Sequence, residues 1–213
     1  MKHDKTTMNA QRRCLAIMGF LLPILSTILG FIGGDRNAPD FWWSISAQYY
    51  STARDIMVGT LFTFGCFLIV YMGHDLGDKV TCRFSAAMAF GILIFPCKTS
   101  AAGPTTGILN LPTDVSHIIH CIVAMLLFAS FAYMIGWRFT KSAASSTIEK
   151  HKRNVIYKIC AAIIIGVMVL QVITSVIGIG WMTIVNETIM LWAFSFAWAV
   201  KSDTFKRFAD NLS

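Results

Sequence analysis

The stretch DVSHIIHCIVAMLLFASFAYMIGW, residues 114–137, decides the fold class. From Ala124 to Ile135 it contains no acid, no base and no histidine. A transmembrane helix needs about 20 mostly apolar residues, and this stretch supplies them. The same reading outward along the chain finds five more such segments, at 14–31, 52–72, 80–96, 155–179 and 182–200. The expectation is an all-α integral membrane protein, a six-transmembrane-helix bundle forming one domain over residues 1–213. The segment at 80–96 is the shortest; 17 residues rise ~26 Å, just under a hydrocarbon core of ~30 Å. Arg83 near its start can snorkel to the surface.

Composition agrees. The chain is 55% hydrophobic and 14% charged, with a mean hydropathy of +0.62, whereas soluble domains carry about 25% charged residues. The net charge of +7 would suggest nucleic acid in a soluble protein. Here the basic residues flank apolar spans, so the expected partners are membrane lipids and no nucleic acid. The apolar run from Cys14 to Gly33 follows a basic segment, as in a signal peptide. It is longer than a signal core and no A-x-A site follows, so it reads as a retained helix. The six cysteines form no CxxC pair, and only Cys97 and Cys121 could meet on the outer side.

Orientation follows from the basic residues. Of the 18 lysines and arginines, Arg36, Arg54 and Lys98 fall on one side of the proposed spans and the other fifteen on the opposite side. The split alternates correctly across all six spans. It predicts cytoplasmic termini and residence in the inner (plasma) membrane. Of two long outer loops, 35–51 is rich in aromatic residues (Phe41, Trp42, Trp43, Tyr49, Tyr50) and is expected to lie along the surface. The loop at 98–113 carries Gly103, Pro104, Gly107 and Pro112 and is expected to be irregular. Ser51 and Thr52 are candidate N-caps of the second helix, and a very tight turn is expected at residues 178–181.

Ionisable groups inside a membrane are costly, so each is a functional candidate. Once the basic residues near span ends are set aside as snorkelling, six remain: Arg54, Asp55, Asp114, His117, His120 and Glu187. All lie in the outer turns of even-numbered helices and share one depth. Asp114, His117 and His120 follow i,i+3 spacing and form a ridge on one side of helix 4, while Tyr50 stands four residues before Arg54. Two histidines with nearby carboxylates could hold zinc or another divalent metal, with His117, His120 and Glu187 as ligands. The same groups could instead form a hydrogen-bonded network closing the bundle, with Asp114 acting only on the helix end. The inner half offers no polar relay from face to face, which argues against a proton-coupled carrier. Gly59 with Thr63 and Ala87 with Gly91 have small-xxx-small spacing, a mark of close helix contact. His74 and Asp78 give H-x-x-x-D in an inner loop.

The segments SISAQYY at 44–50, ARDIMVGTL at 53–61 and YMGHD at 71–75 resemble uncharacterised polytopic membrane proteins of bacteria. That resemblance implies an Arg-Asp pair opening a helix and a later Glu, here Glu187, in an aromatic helix ending at Lys201. It implies no activity. The zinc-dependent alkaline ceramidase and adiponectin-receptor superfamily is a poor match, because the chain lacks the paired H-x-x-x-H motif in its last helix.

Three functions follow from these residues. The leading one is an outer-facing polar pocket among helices 2, 4 and 6 that binds a lipid headgroup or small polar ligand. Arg54 would pair with an anionic group, and Tyr50, Asp55, Asp114, His117, His120 and Glu187 would complete the site. The second is a metal-dependent membrane hydrolase acting on a lipid through a zinc-bound water. The third is a structural or homo-oligomeric membrane component.

Overall fold

A computed structural model describes residues 2–33, 40, 42–71, 73, 75–141 and 147–205. Arg36, Phe41, Met72, His74, Lys206 and Arg207 lie outside the described residues. The described chain is all-helical apart from one small hairpin. Its helices are α1 (Lys2–Gly33), α2 (Arg54–Val70), α3 (Leu76–Ile94), α4 (Thr113–Tyr133), α5 (Ile148–Val176) and α6 (Met182–Lys201). A five-residue 3₁₀ turn, Ser46–Tyr50, precedes α2, and a π-helical turn, Met134–Arg138, extends α4. Strands β1 (Thr105–Thr106) and β2 (Leu111–Pro112) pair antiparallel inside the loop expected to be irregular.

Four helical stretches are long and apolar enough to cross a membrane: Thr6–Ile32, Thr113–Arg138, Ile148–Val176 and Met182–Lys201. That points to a multi-pass membrane protein. The other two helices differ for identifiable reasons. With 17 residues, α2 rises only ~26 Å. The first two turns of α3 contain Asp78, Lys79 and Arg83.

Helix ends account for the boundaries that hydropathy misplaces. α3 starts at Leu76 rather than Val80 because the Asp75 side chain accepts the Asp78 N–H at 2.9 Å. α5 starts at Ile148 because Thr147 accepts the Lys150 N–H at 3.2 Å. Neither Ser51 nor Thr52 caps α2, whose N-cap is Ala53. The turn after α5 is tight, as expected. Gly178 has φ +78°, the Ile179 N–H donates to Thr174 O at 2.9 Å, and the Gly178 N–H donates to Ser175 O at 3.3 Å. This double closure needs a left-handed residue, and glycine adopts that conformation at least cost.

The helices form a ring in sequence order, with α6 closing on α1. Bulky rings fill the middle. Phe64 of α2, Phe131 of α4 and Phe194 of α6 meet with centroids 5.8, 5.4 and 3.9 Å apart. Trp198 continues this column towards Tyr71 and Phe139, at 5.0 and 4.9 Å. Of the small-residue pairs, Gly91 does mark a close approach. A Cβ there would meet the Val123 side chain at 3.3 Å, whereas one at Gly59 would meet nothing within 4 Å.

The end of the ring where α1, α3 and α5 begin is sealed by charge. Arg138 is only 7% exposed. Its Nε donates to Asp78 at 2.8 Å, and a second nitrogen donates to Asp75. Arg12, also 7% exposed, donates to the Tyr71 hydroxyl at 3.1 and 3.2 Å, to Asn9 at 2.9 Å and to the Lys201 carbonyl at 3.3 Å. The Lys201 ammonium faces the Phe139 ring at 4.9 Å. Arg12 and Arg138 therefore do not snorkel, because each has a buried partner on another element. The π-helical turn accompanies this, since it carries Arg138 at the end of α4, where it faces the α3 cap.

Candidate functional site

At the opposite end, three of the expected residues come together. His117, His120 and Glu187 line a cavity of about 530 Å³ between α4, α5 and α6. Asp40, Trp43, Ser44 and Ala47, from the segment before α2, cover it, and Cys97, Lys98 and Thr99 form one rim. Its deeper wall is apolar, with Ala124, Met125, Phe128, Val172 and Met190.

α4 is held here by the end of α3. Pro96 stops α3 and leaves carbonyl oxygens without helical partners. Two α4 side chains satisfy them: Ser116 donates to Pro96 O at 2.8 Å, and the His120 Nδ1–H donates to Phe95 O at 2.7 Å. The Lys98 N–H donates to His117 Nδ1 at 3.2 Å. An accepting ring nitrogen carries no proton, so His117 is a neutral imidazole with its hydrogen on Nε2. The ridge predicted on helix 4 thus grips the end of α3 along one side and reaches the cavity on the other.

Glu187 anchors the cover. Its Oε2 accepts the Ile45 N–H at 2.6 Å, with the Ser46 amide also directed at the carboxylate. These amides open the 3₁₀ turn, so a carboxylate from α6 caps a helical turn 142 residues away in sequence. The Ile184 N–H donates to Trp43 O at 2.7 Å. Within the described part of the aromatic segment, Trp43 is exposed while residues after it turn inward. Ile45, Ala47 and Gln48 are buried, Ile45 through its bond to Glu187 of α6 and Gln48 with its side chain against Gly30 of α1.

α5 and α6 are joined beside the cavity by amides and hydroxyls. The Gln171 amide donates to Ser175 at 3.0 Å and to Thr183 at 3.1 Å, and its oxygen accepts from Asn186 at 2.8 Å.

The remaining expected residues stand outside. Arg54 is exposed, stacked 4.2 Å over the Tyr49 ring and bonded to its hydroxyl at 2.8 Å. Asp55 is exposed. Asp114 pairs with Lys98 at 2.7 Å, and both side chains are exposed. Tyr50 donates to Cys97 O at 2.7 Å and shares a 2.8 Å bond with Thr106; burial raises its phenol pKa above the ordinary value. Tyr50 therefore ties the cover to the hairpin loop. A pocket among helices 2, 4 and 6 is thus corrected to one among α4, α5 and α6. The reason is that the polar first turn of α2 faces away while Gln171 and Ser175 of α5 face in.

Comparison with known protein families, curated proteins and solved structures found no match.

Among the described residues, no three His, Cys, Asp or Glu side chains are grouped so as to hold a metal ion. The His120 Nδ1–H and one oxygen of Glu187 are engaged by backbone groups. Cys121 lies 3.8 Å from both ring nitrogens of His117. Equal distances place the sulfur beside the ring rather than in line with one lone pair, which is poor geometry for proton transfer. Cys97, the other cavity cysteine, is held as a thiol by burial, which raises its pKa.

Sequence reasoning passed over Asp40, Trp43 and Thr99 as site residues. Asp40 accepts the Ser100 N–H at 2.7 Å and also bonds the Ser100 hydroxyl, which fixes the cover to the rim. Their position in loops gave no periodic signal.

Proposed function

We propose that this chain is a six-span inner-membrane binding protein whose cavity takes an amphipathic ligand from the outer side of the bilayer. The observation that carries this reading is the cavity itself. At about 530 Å³ it falls within the ~300–1,000 Å³ of typical small-molecule sites. It combines an apolar floor with a polar rim, as a molecule with a tail and a head requires. The strong asymmetry in basic residues supports cytoplasmic termini, with the cavity on the outer side.

Two measurements test the reading. Native mass spectrometry of protein extracted in mild detergent should show a retained amphiphile. Ala124→Trp, which fills the cavity from its apolar wall, should abolish retention while the protein stays monodisperse. Equal retention by the variant would overturn the reading. A cysteine introduced at Gly103 should react with an impermeant thiol reagent only from the outer side, and labelling only from the cytoplasmic side would overturn the topology.

A further inference from the structure

The charge around this cavity narrows the class of ligand. Resting on the binding reading above, we infer that the cavity selects a cationic amphiphile, an ammonium group on an apolar body, over an anionic or neutral one.

Two carboxylates line the cavity, Asp40 and Glu187. Neither forms an ion pair among the described residues. Both are held by neutral donors, Glu187 by the Ile45 and Ser46 amides and Asp40 by Ser100. These bonds fix the oxygens in place without supplying a counter-charge. A carboxylate has about four lone-pair sites, so each retains acceptor capacity towards a ligand.

The positive groups described nearby do not offset them. Lys98 lines the rim, but its ammonium is 2.7 Å from Asp114 and exposed. His117 is neutral by its hydrogen bonding, as derived above. Arg54, the residue best suited to an anionic headgroup, lies outside the cavity against Tyr49. An anion would therefore enter towards two carboxyl groups that have no cationic partner among the described residues, and a cation would supply that counter-charge.

Two further features suit an ammonium group. The Trp43 ring lines the cavity, packed so closely on Gly180 that a Cβ there would lie 2.6 Å from it. A fixed indole attracts cations through its ring face. Beneath it, Ala124, Met125, Phe128 and Val172 offer the tail an apolar wall with no charged group. Thr99 Oγ1, which is buried and has no hydrogen-bond partner, is at the rim.

The test compares three probes of equal tail length on the full chain in a maltoside detergent: dodecyltrimethylammonium, laurate and monolaurin. Titration calorimetry below their micelle concentrations reads each affinity. The ammonium should bind tighter than laurate and monolaurin by about tenfold or more. In Glu187→Gln the side-chain oxygen still accepts the Ile45 amide, so the cover stays docked while the charge is lost. The ratio of ammonium to monolaurin affinity should then fall towards one. Asp40→Asn should lower the same ratio, and it serves as the second variant where Glu187→Gln fails to fold. Laurate or monolaurin binding as tightly as the ammonium would overturn this inference and leave the binding reading standing. So would an unchanged ratio in a folded variant. Failure of all three probes to bind would overturn the binding reading itself.

Discussion

The two ends of this bundle handle buried charge in opposite ways. Where α1, α3 and α5 begin, Arg138 meets Asp75 and Asp78 directly, and Arg12 is enclosed by Tyr71, Asn9 and a backbone carbonyl. Aromatic rings pack up to the seal. At the other end, Glu187 and Asp40 are held by neutral amides and hydroxyls around open space. Burying a charge is tolerable only when something offsets it. One end supplies the offset from within the chain, which makes it a structural seal. The other leaves part of it to be supplied, which is the basis of the proposed site.

The sealed end should be the least tolerant of substitution. Arg138→Met removes one partner of a buried pair and strands Asp78, at an expected cost of about 3–5 kcal/mol. Thermal unfolding in detergent measures this, and a variant that melts with the wild type would erase the contrast between the ends. The central rings come next. Phe194→Ala leaves a hole where three helices meet and should cost about 3 kcal/mol or more, read from the same melting curves.

Within the cavity end, the frame should be stiffer than the site. Gly107 has φ +73°, and a Cβ there would lie 2.7 Å from Ile94 O. Gly107→Ala should therefore cost about 1–3 kcal/mol, in contrast to the smaller stability change expected of Glu187→Gln, which keeps its acceptor. A larger loss from Glu187→Gln than from Gly107→Ala would mean that the charge on Glu187 serves the fold.

pH sharpens the comparison further. The Asp78 N–H, and after it the Arg138 guanidinium, hold the Asp75 carboxyl below its usual range. A folded value below the unfolded one contributes stability that is present above the unfolded value. That stability is lost as pH falls through the folded value. Asp75→Asn keeps the cap acceptor and removes the titration, so its melting temperature should fall less steeply with acid than that of the wild type. Parallel curves would show that Asp75 acts only as a cap. The smallest effect is expected at Asp55, which is exposed and lines no cavity. Asp55→Asn should change stability by no more than about 0.5 kcal/mol and leave amphiphile binding intact. A large loss of binding would bring α2 back into the site.

Hydropathy and charge spacing, properties of a segment read alone, were enough to establish the all-helical class and the approximate positions of all six helices. They also placed His117, His120 and Glu187 at one depth, because depth along a helix follows from residue number. They could not decide direction around the helix axis relative to neighbours. For that reason Asp55 and Arg54 were grouped with a cavity they do not face, and α5 was left out of one that it lines. They could not distinguish a snorkelling arginine from a buried one either, since Arg138 is buried only because Asp75 and Asp78, some sixty residues earlier, lie opposite it. The role of Glu187 was likewise a tertiary matter. Its carboxylate belongs to α6, but the amides that hold it belong to the cover before α2, and only the closed ring of helices brings them within 2.6 Å.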